Sequence, residues 1–357
     1  MADFAELQAP SVGTSAWSSA AAGWARNSVS LLPGLLLVFA IAALSYALRL
    51  VPGVANFSTL IIAIALGTAF HNLVGTPDRC RLGITFSLKR LLRIAVALLG
   101  LQLTIAQVIT VGGPGMLIVV VTLGSTFLFT TWLGARIGVS SKLTQLIAAG
   151  TSICGASAVI ATNTVTKADD EDVAYAVACV TVFGTLSMFL LPMLPGYLHL
   201  QPHAFGLWAG ASIHEIAQVV AAAFQNGSAS GDFGTIAKLS RVAMLAPVVL
   251  TLSFLASSRS RSRSPAAAAA SGRVPVPWFV VGFLVLMGFN SFGLISAQAK
   301  TWIVILTTAL LTVALTAMGL ETDFRKLRAK GLKPLLLGAG AWIFISAFSL
   351  VLVELVY

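Results

Sequence analysis

Apolar stretches of about 20 residues follow one another from residue 31 to residue 355, parted by short polar loops, and each is long enough to cross a hydrocarbon core about 30 Å thick as an α-helix. Eleven spans are predicted, at roughly 31–48, 57–74, 91–110, 115–134, 143–163, 173–195, 204–225, 234–257, 278–296, 300–320 and 335–355. The ten-residue alternation of a transmembrane β-barrel is absent. The chain divides into a polar tail over 1–30, eight spans over 31–257, an Arg-, Ser- and Ala-rich linker over 258–277, and three spans over 278–357.

Two segments break the apolar pattern in nearly the same words. Gly150-Thr151-Ser152-Ile153-Cys154-Gly155-Ala156-Ser157-Ala158-Val159-Ile160-Ala161 and Gly210-Ala211-Ser212-Ile213-His214-Glu215-Ile216-Ala217-Gln218-Val219-Val220-Ala221 both read G-x-S-I, five residues, then V-[IV]-A. Paired, glycine-interrupted apolar segments point to the binding site of a transporter. A second echo links Leu99-Gly100-Leu101-Gln102 with Met318-Gly319-Leu320-Glu321, each followed twelve residues after its glycine by another, Gly112 and Gly331. The two echoes conflict. The third and tenth spans run oppositely, as an inverted repeat requires, whereas the fifth and seventh would run the same way. Either one echo is coincidental or one of the short segments is re-entrant.

Composition agrees with the pattern: 57% of the 357 residues are hydrophobic and 10% charged, which is a polytopic α-helical membrane protein and no soluble domain. The net charge of +10 lies in short loops, so it orients the chain in the bilayer and does not point to nucleic acid. With the N-terminus in the cytoplasm, seventeen of the 22 basic residues fall inside, among them Arg79, Arg81, Arg136, Lys142, Arg325, Lys330 and Lys333. That balance predicts a cytoplasmic N-terminus and an outer, periplasmic C-terminus. On this reading the run Asp169-Asp170-Glu171-Asp172 lies outside, as a helix start favoured by negative charge. The loop over 196–203 has no Lys or Arg to decide its side. Cys80, Cys154 and Cys179 are too scattered for a disulfide framework or a zinc site, and neither metal nor cofactor is expected. The first 26 residues do not read as a signal peptide.

The candidate chemistry gathers on the two interrupted segments. The first segment, with Gly150 and Gly155, offers the polar side chains of Thr151, Ser152, Ser157, Thr162 and Asn163, and a helix broken there would free N–H groups and offer an anion site. Small residues also serve simple helix packing. Ser212 belongs to the second segment, where His214 and Glu215 adjoin and Gln218 follows at i+4. A carboxyl at membrane depth must be neutral, paired or ion-bound, which suits a coupling site; a purely structural His–Glu–Gln network is the plain alternative. Lys238 and Arg241, expected at the outer end of the eighth span, either snorkel to the interface or neutralise an anionic substrate. Glu321 and Asp323 are expected to make ion pairs at the cytoplasmic surface, and His71, His199 and His203 to lie at interfaces.

Gly150 to Ala158 and Ser212 to Val219 resemble the two signature segments of the YeiH/TauZ-like family of bacterial inner-membrane proteins, often described as sulfate exporters. The resemblance covers about residues 31–355. That family is similar to a distant superfamily of bile-acid symporters and cation–proton antiporters. The stretch Met318 to Phe324 is similar to a panel-helix end in the bile-acid branch. The resemblance implies inverted five-helix repeats, panel and core domains, and two unwound helices crossing at mid-membrane, with Thr151, Ser152, Cys154, Gly155 and Ser157 lining one crossing segment and His214, Glu215 and Gln218 across the site. It also implies a bacterial inner-membrane location, sulfate as substrate, and a homodimer.

The resulting expectation is a secondary transporter of a small anion such as sulfate, sulfite or an organosulfonate, working by alternating access. Protons or sodium would couple through Glu215, His214 and Gln218. A cation–proton antiporter relying on Glu215 alone is the alternative within transport. A channel is another, separated by coupled counterflow. His214-Glu215-Ile216-Ala217-Gln218 begins like the metalloprotease motif H-E-x-x-H but lacks the second His. No nucleotide-binding loop of the G-x-x-x-x-G-K-[ST] type is present.

Overall fold

A computed structural model describes residues 14–51, 54, 57–259, 278–328 and 330–357. The start of the tail and nearly all of the 258–277 linker lie outside the described residues. The described residues form helices joined by short loops, without strands. Six helices are long and apolar enough to cross a membrane: Ser30–Leu48, Ile105–Ile137, Asp170–Met193, Ser228–Leu252, Gln298–Glu321 and Leu332–Val356. Thr59–Leu73, Ile216–Gln225 and Trp278–Ser291 are shorter apolar helices.

The helices pack in two groups. The first holds α1 (Thr14–Leu48), α2 (Thr59–Leu73), α3 (Arg81–Phe86), α4 (Leu92–Leu99), α14 (Trp278–Ser291) and α15 (Ala297–Glu321). A π-helical turn over Ser87–Leu91 joins α3 to α4. Within this group α2 lies along α15, and a Cβ on Gly319 would strike the backbone oxygen of Ile64. Glycine there lets two backbones touch, as in membrane helix pairs. The second group holds α5 (Ile105–Ile137), α6 (Ser141–Ser152), α7 (Ala156–Thr166), α8 (Asp170–Leu190), α10 (Pro202–Ser212), α11 (Ile216–Gln225), α12 (Ser228–Ala243) and α16 (Leu332–Val356). The short α9 (Pro195–Leu198) precedes α10, and α13 (Leu245–Arg259) continues α12. The groups meet where α11 touches α2 and α15, and where α14 touches α5.

The fifth and seventh predicted spans are not single passes. Run straight through, α6 and α7 would separate their outer ends by about 39 Å at 1.5 Å per residue. Instead Lys142 Nζ, at the start of α6, donates to the Lys167 carbonyl, just past the end of α7, at 2.8 Å. The pair is a hairpin that enters and leaves at one end of the molecule. The same holds for α10 and α11. Gly206 near the start of α10 lies against Ser230, and Phe224 near the end of α11 lies against Gly231, so both reach the first turn of α12. The Asn226 side chain, past α11, also reaches the Pro192 carbonyl, past α8, at 3.5 Å. Because α8 crosses the molecule between the hairpins, they enter from opposite ends. The crossing-helix expectation is thereby replaced by two hairpins meeting tip to tip.

This geometry also moves the acidic run. Lys330 Nζ lies 2.6 Å from Asp172 Oδ1 and 3.4 Å from Glu171 Oε2, so the start of α8 shares an end of the molecule with the basic loop before α16. Asp170, Glu171 and Asp172 do occupy the first turn of α8, as a helix start favours. The acidic run and this basic loop were expected on opposite sides of the membrane; they share an end because the chain returns to its starting end after the first hairpin.

The long helices α5 and α16 are antiparallel neighbours. Tyr357 Oη donates to the Val111 carbonyl at 3.4 Å, placing the end of α16 beside the start of α5. Gly112 (φ 62, ψ −173) interrupts α5, and Gly331 (φ 84, ψ −174) caps α16. Both backbones occupy a positive-φ region open essentially to glycine alone. The echoed glycines therefore make the same turn into two oppositely running helices.

Candidate functional site

The G-x-S-I segments end α6 and α10, and each chain turns back within three residues: Ile153-Cys154-Gly155 in one hairpin, Ile213-His214-Glu215 in the other. The turns leave two helix C-termini and two helix N-termini inside the protein. Unpaired backbone groups at that depth are costly, so each end needs a partner.

Lys238 and Arg241 of α12 serve the C-terminal ends. Both are fully buried. Lys238 Nζ donates to the carbonyls of Ile153 at 2.9 Å and Ile213 at 2.7 Å. Arg241 donates from Nε to Ser152 at 3.1 Å and from one terminal nitrogen to Thr151 at 2.8 Å. Its other terminal nitrogen reaches Gly210 and Ile213, both at 3.2 Å. Each cation bonds both tips, and each meets the negative end of a helix dipole. They lie at the level of the tips, with α13 continuing the span beyond them. Snorkelling to an interface does not describe these side chains; the hydrogen bonds they make go to backbone oxygens.

Glu215 serves the N-terminal ends. Its Oε1 accepts from the Ala156 N–H, the first of α7, at 2.6 Å. Its carboxylate also accepts from the Gln218 N–H of α11, while Gln218 Oε1 accepts in return from the Glu215 N–H at 3.1 Å, forming a capping box. One carboxylate thus holds two helix N-termini. Unlike the two cations, Glu215 is partly exposed, together with Ala156 and the exposed Ser157.

Gly155 is required at the first tip. Its φ is +70, and a Cβ would collide with the Glu215 carboxylate. Gly150 packs against Val159 and Val180. The hydroxyls of Ser152 and Ser212 turn back to the carbonyls of Ala148 at 2.6 Å and Trp208 at 2.7 Å within their own helices. Cys154 is a buried free thiol at the tip. His214 is buried, and its Nδ1 has no hydrogen-bond partner.

Three contributors, all on α8, have no counterpart among the sequence candidates. Gln218 Nε2 donates to the Thr181 carbonyl at 3.1 Å and to Thr185 Oγ1 at 3.2 Å, tying the second tip to α8. Gly184 leaves the space that Gln218 fills. The only sequence signal was a glycine between two threonines at i, i+4 in an apolar helix. Away from the tips, Asp323 lies 3.8 Å from His71 Nε2, and His203 packs on the Phe233 ring at 4.3 Å.

A family described as conserved hypothetical protein 698 matches residues 33–338, which include both tips and both cations. A UPF0324 membrane protein of Bordetella pertussis is 40% identical over 329 residues, covering 90% of this chain and 94% of its own. One from Yersinia pestis is 39% identical over 326 residues, covering 88% and 90%. The UPF0324 inner membrane protein YeiH of Escherichia coli K12 is 37% identical over 323 residues, covering 88% and 91%. With a match across most of its length and relatives of this identity, the chain belongs to the UPF0324 membrane protein family.

Proposed function

We propose that this protein is a secondary active transporter of a small anion, such as sulfate, sulfite or an organosulfonate. It works in the bacterial inner membrane by alternating access, with its site at the junction of the two hairpin tips. The observation that carries this reading is the charge at that junction. Two buried cations, Lys238 and Arg241, hold the C-terminal ends at the junction where one carboxylate, Glu215, holds the N-terminal ends. An excess of buried positive charge is costly without a counter-charge, and a small anion supplies one. The exposed edge at Ser157, Ala156 and Glu215 is where it would arrive. Coupling to protons or sodium falls to Glu215, with His214 and Gln218 beside it.

The packing supports a panel-and-core carrier built on an inverted repeat. In this reading α2, α3–α4, α5, the first hairpin and α8 correspond to α14, α15, α16, the second hairpin and α12–α13. Each pair runs oppositely, and the hairpin correspondence comes first in the second half of the chain instead of fourth. The parity conflict between the two sequence echoes then disappears, because neither hairpin crosses the membrane. The chain would make nine crossings and keep a cytoplasmic N-terminus and a periplasmic C-terminus. Lys167 and the acidic run would lie on the cytoplasmic side.

Currents on a solid-supported membrane test the function. Proteoliposomes are challenged with sulfate, sulfite, a taurine-like sulfonate and chloride, with and without sodium or a pH step. Anion-dependent current driven by the pH or sodium step, and lost in Glu215→Gln, is the expected result. Current driven by pH or sodium with no anion dependence would replace this reading with cation–proton antiport.

A further inference from the structure

Glu215 places a negative charge where a broken helix pair would otherwise receive a negative ligand. Its carboxylate takes the Ala156 N–H of one hairpin and the Gln218 N–H of the other. Both helices it caps are full enough to carry a dipole, eleven residues in α7 and ten in α11. Nothing about the fold requires a charged cap for this alone, since the uncharged Ser, Thr and Asn are among the usual N-caps. Glu215 is also partly exposed, while the cations behind it are sealed. A second feature marks the junction as a ligand site: His214 is 1% exposed and its Nδ1 finds no hydrogen-bond partner.

We infer that the Glu215 carboxylate and the transported anion are alternative occupants of one site, the amides at the starts of α7 and α11. The inference rests on the anion-transport reading above and adds its coupling rule. In the empty carrier the carboxylate holds the two amides. When a proton from solvent binds the carboxylate, its charge is removed, its hold on the amides weakens, and the anion takes them. Anion and proton are then carried together in the same direction. Sodium plays no part in this exchange.

The charges agree with a dianion. With Glu215 protonated, a doubly charged oxyanion matches Lys238 and Arg241 charge for charge. With Glu215 ionised, the same dianion would leave an excess negative charge in a low-dielectric junction. The groups facing the carboxylate are Lys238 from α12 and the Cys154 thiol from the first tip; Arg241 and His214 lie beside Lys238. From α8 come only the uncharged Thr181 and Thr185 through Gln218. Among these, Glu215 alone bonds the amides that the anion would take.

Sulfate binding to the purified full-length protein in lipid nanodiscs tests the inference by calorimetry across about pH 5 to about pH 8, where sulfate keeps its charge. Wild-type affinity is expected to fall close to tenfold for each pH unit above the carboxyl's own titration, since one proton enters with each anion. In Glu215→Gln, whose amide oxygen can still accept from both N–H groups, sulfate binding is expected to persist and lose its pH slope. A readout on wild type alone is proton uptake on adding sulfate in weak buffer, expected at about one proton per sulfate bound. Sulfate binding without pH slope or proton uptake overturns the inference and leaves the anion reading standing. A slope retained in Glu215→Gln overturns it in favour of His214 as the proton carrier. No binding of sulfate at any pH, with no anion-dependent current, overturns both.

Discussion

The four helix ends at the hairpin junction are satisfied in two different ways. The C-terminal ends of α6 and α10 are held by Lys238 and Arg241, both fully buried, through six hydrogen bonds to backbone oxygens. The N-terminal ends of α7 and α11 are held by one partly exposed carboxylate. The first clamp has two members, both buried. The second has a single member, open at one edge and able to lose its charge by taking up a proton. In the proposed transport cycle, a junction that stays assembled while a ligand is exchanged needs both kinds. The lesson for reading such sites is that buried basic residues near a candidate anion site can belong to the scaffold.

The comparison breaks first at the cations. Arg241→Leu is expected to cost about 3–5 kcal/mol, because it strands buried carbonyls on both tips at about 1–3 kcal/mol each. The folded fraction after extraction, followed by thermal unfolding, reads this out, and Lys238→Met is expected to behave similarly. A variant of either that stays as stable as wild type would show that the clamp is not structural. Gly155→Ala comes next: it adds a Cβ against Glu215 and forces alanine to a φ of +70. The backbone strain alone is of order 1–3 kcal/mol, and transport current is expected to vanish in protein that still purifies as a single species. Gln218→Ala removes the reciprocal cap and the bonds to α8, for about 1–2 kcal/mol, and is expected to lower Tm.

The smallest effect is expected at the Lys330 bridge to Asp172 and Glu171. A bridge of this exposure is worth under about 1 kcal/mol and weakens with salt. The hydrogen bond from Lys330 to Asp172 holds its ammonium above the usual lysine range. A raised pKa stabilises the fold below the unfolded lysine value and ceases to do so as pH climbs through the folded one. Loss of the bridge with pH is therefore expected only under strongly alkaline conditions, while Lys330→Ala removes it at neutral pH. Thermal unfolding of Lys330→Ala at low and high salt checks this, with the gap to wild type closing at high salt.

Much of the site was legible before the fold. The two G-x-S-I segments stand out because small polar residues and glycines are unexpected amid leucine, valine and alanine, and the adjoining His214 and Glu215 mark membrane-depth chemistry. The echoed Gly112 and Gly331 prove to share one unusual backbone shape. What could not be read was direction. A run such as 141–166 has the length and composition of a single pass whether it continues or turns back. The loop over 196–203 carries no basic residue to report its side. The parity conflict between the echoes was the one trace of the hairpins. The role of Lys238 and Arg241 was hidden for a similar reason: a basic side chain in an apolar helix has the same sequence signature whether it reaches water, a ligand or a carbonyl.

The account depends most directly on both hairpins turning back. Single cysteines at Ser141 and Asp169 flank the first hairpin, and at His199 and Ser228 the second; all four positions are exposed, and Cys80, Cys154 and Cys179 are buried. Labelling with a membrane-impermeant maleimide in intact cells and in inverted vesicles compares them. The account predicts that 141 and 169 react from the same side and that 199 and 228 react together from the other. If 141 and 169, or 199 and 228, are labelled from opposite sides, that segment is a single pass and the tip-to-tip junction does not exist.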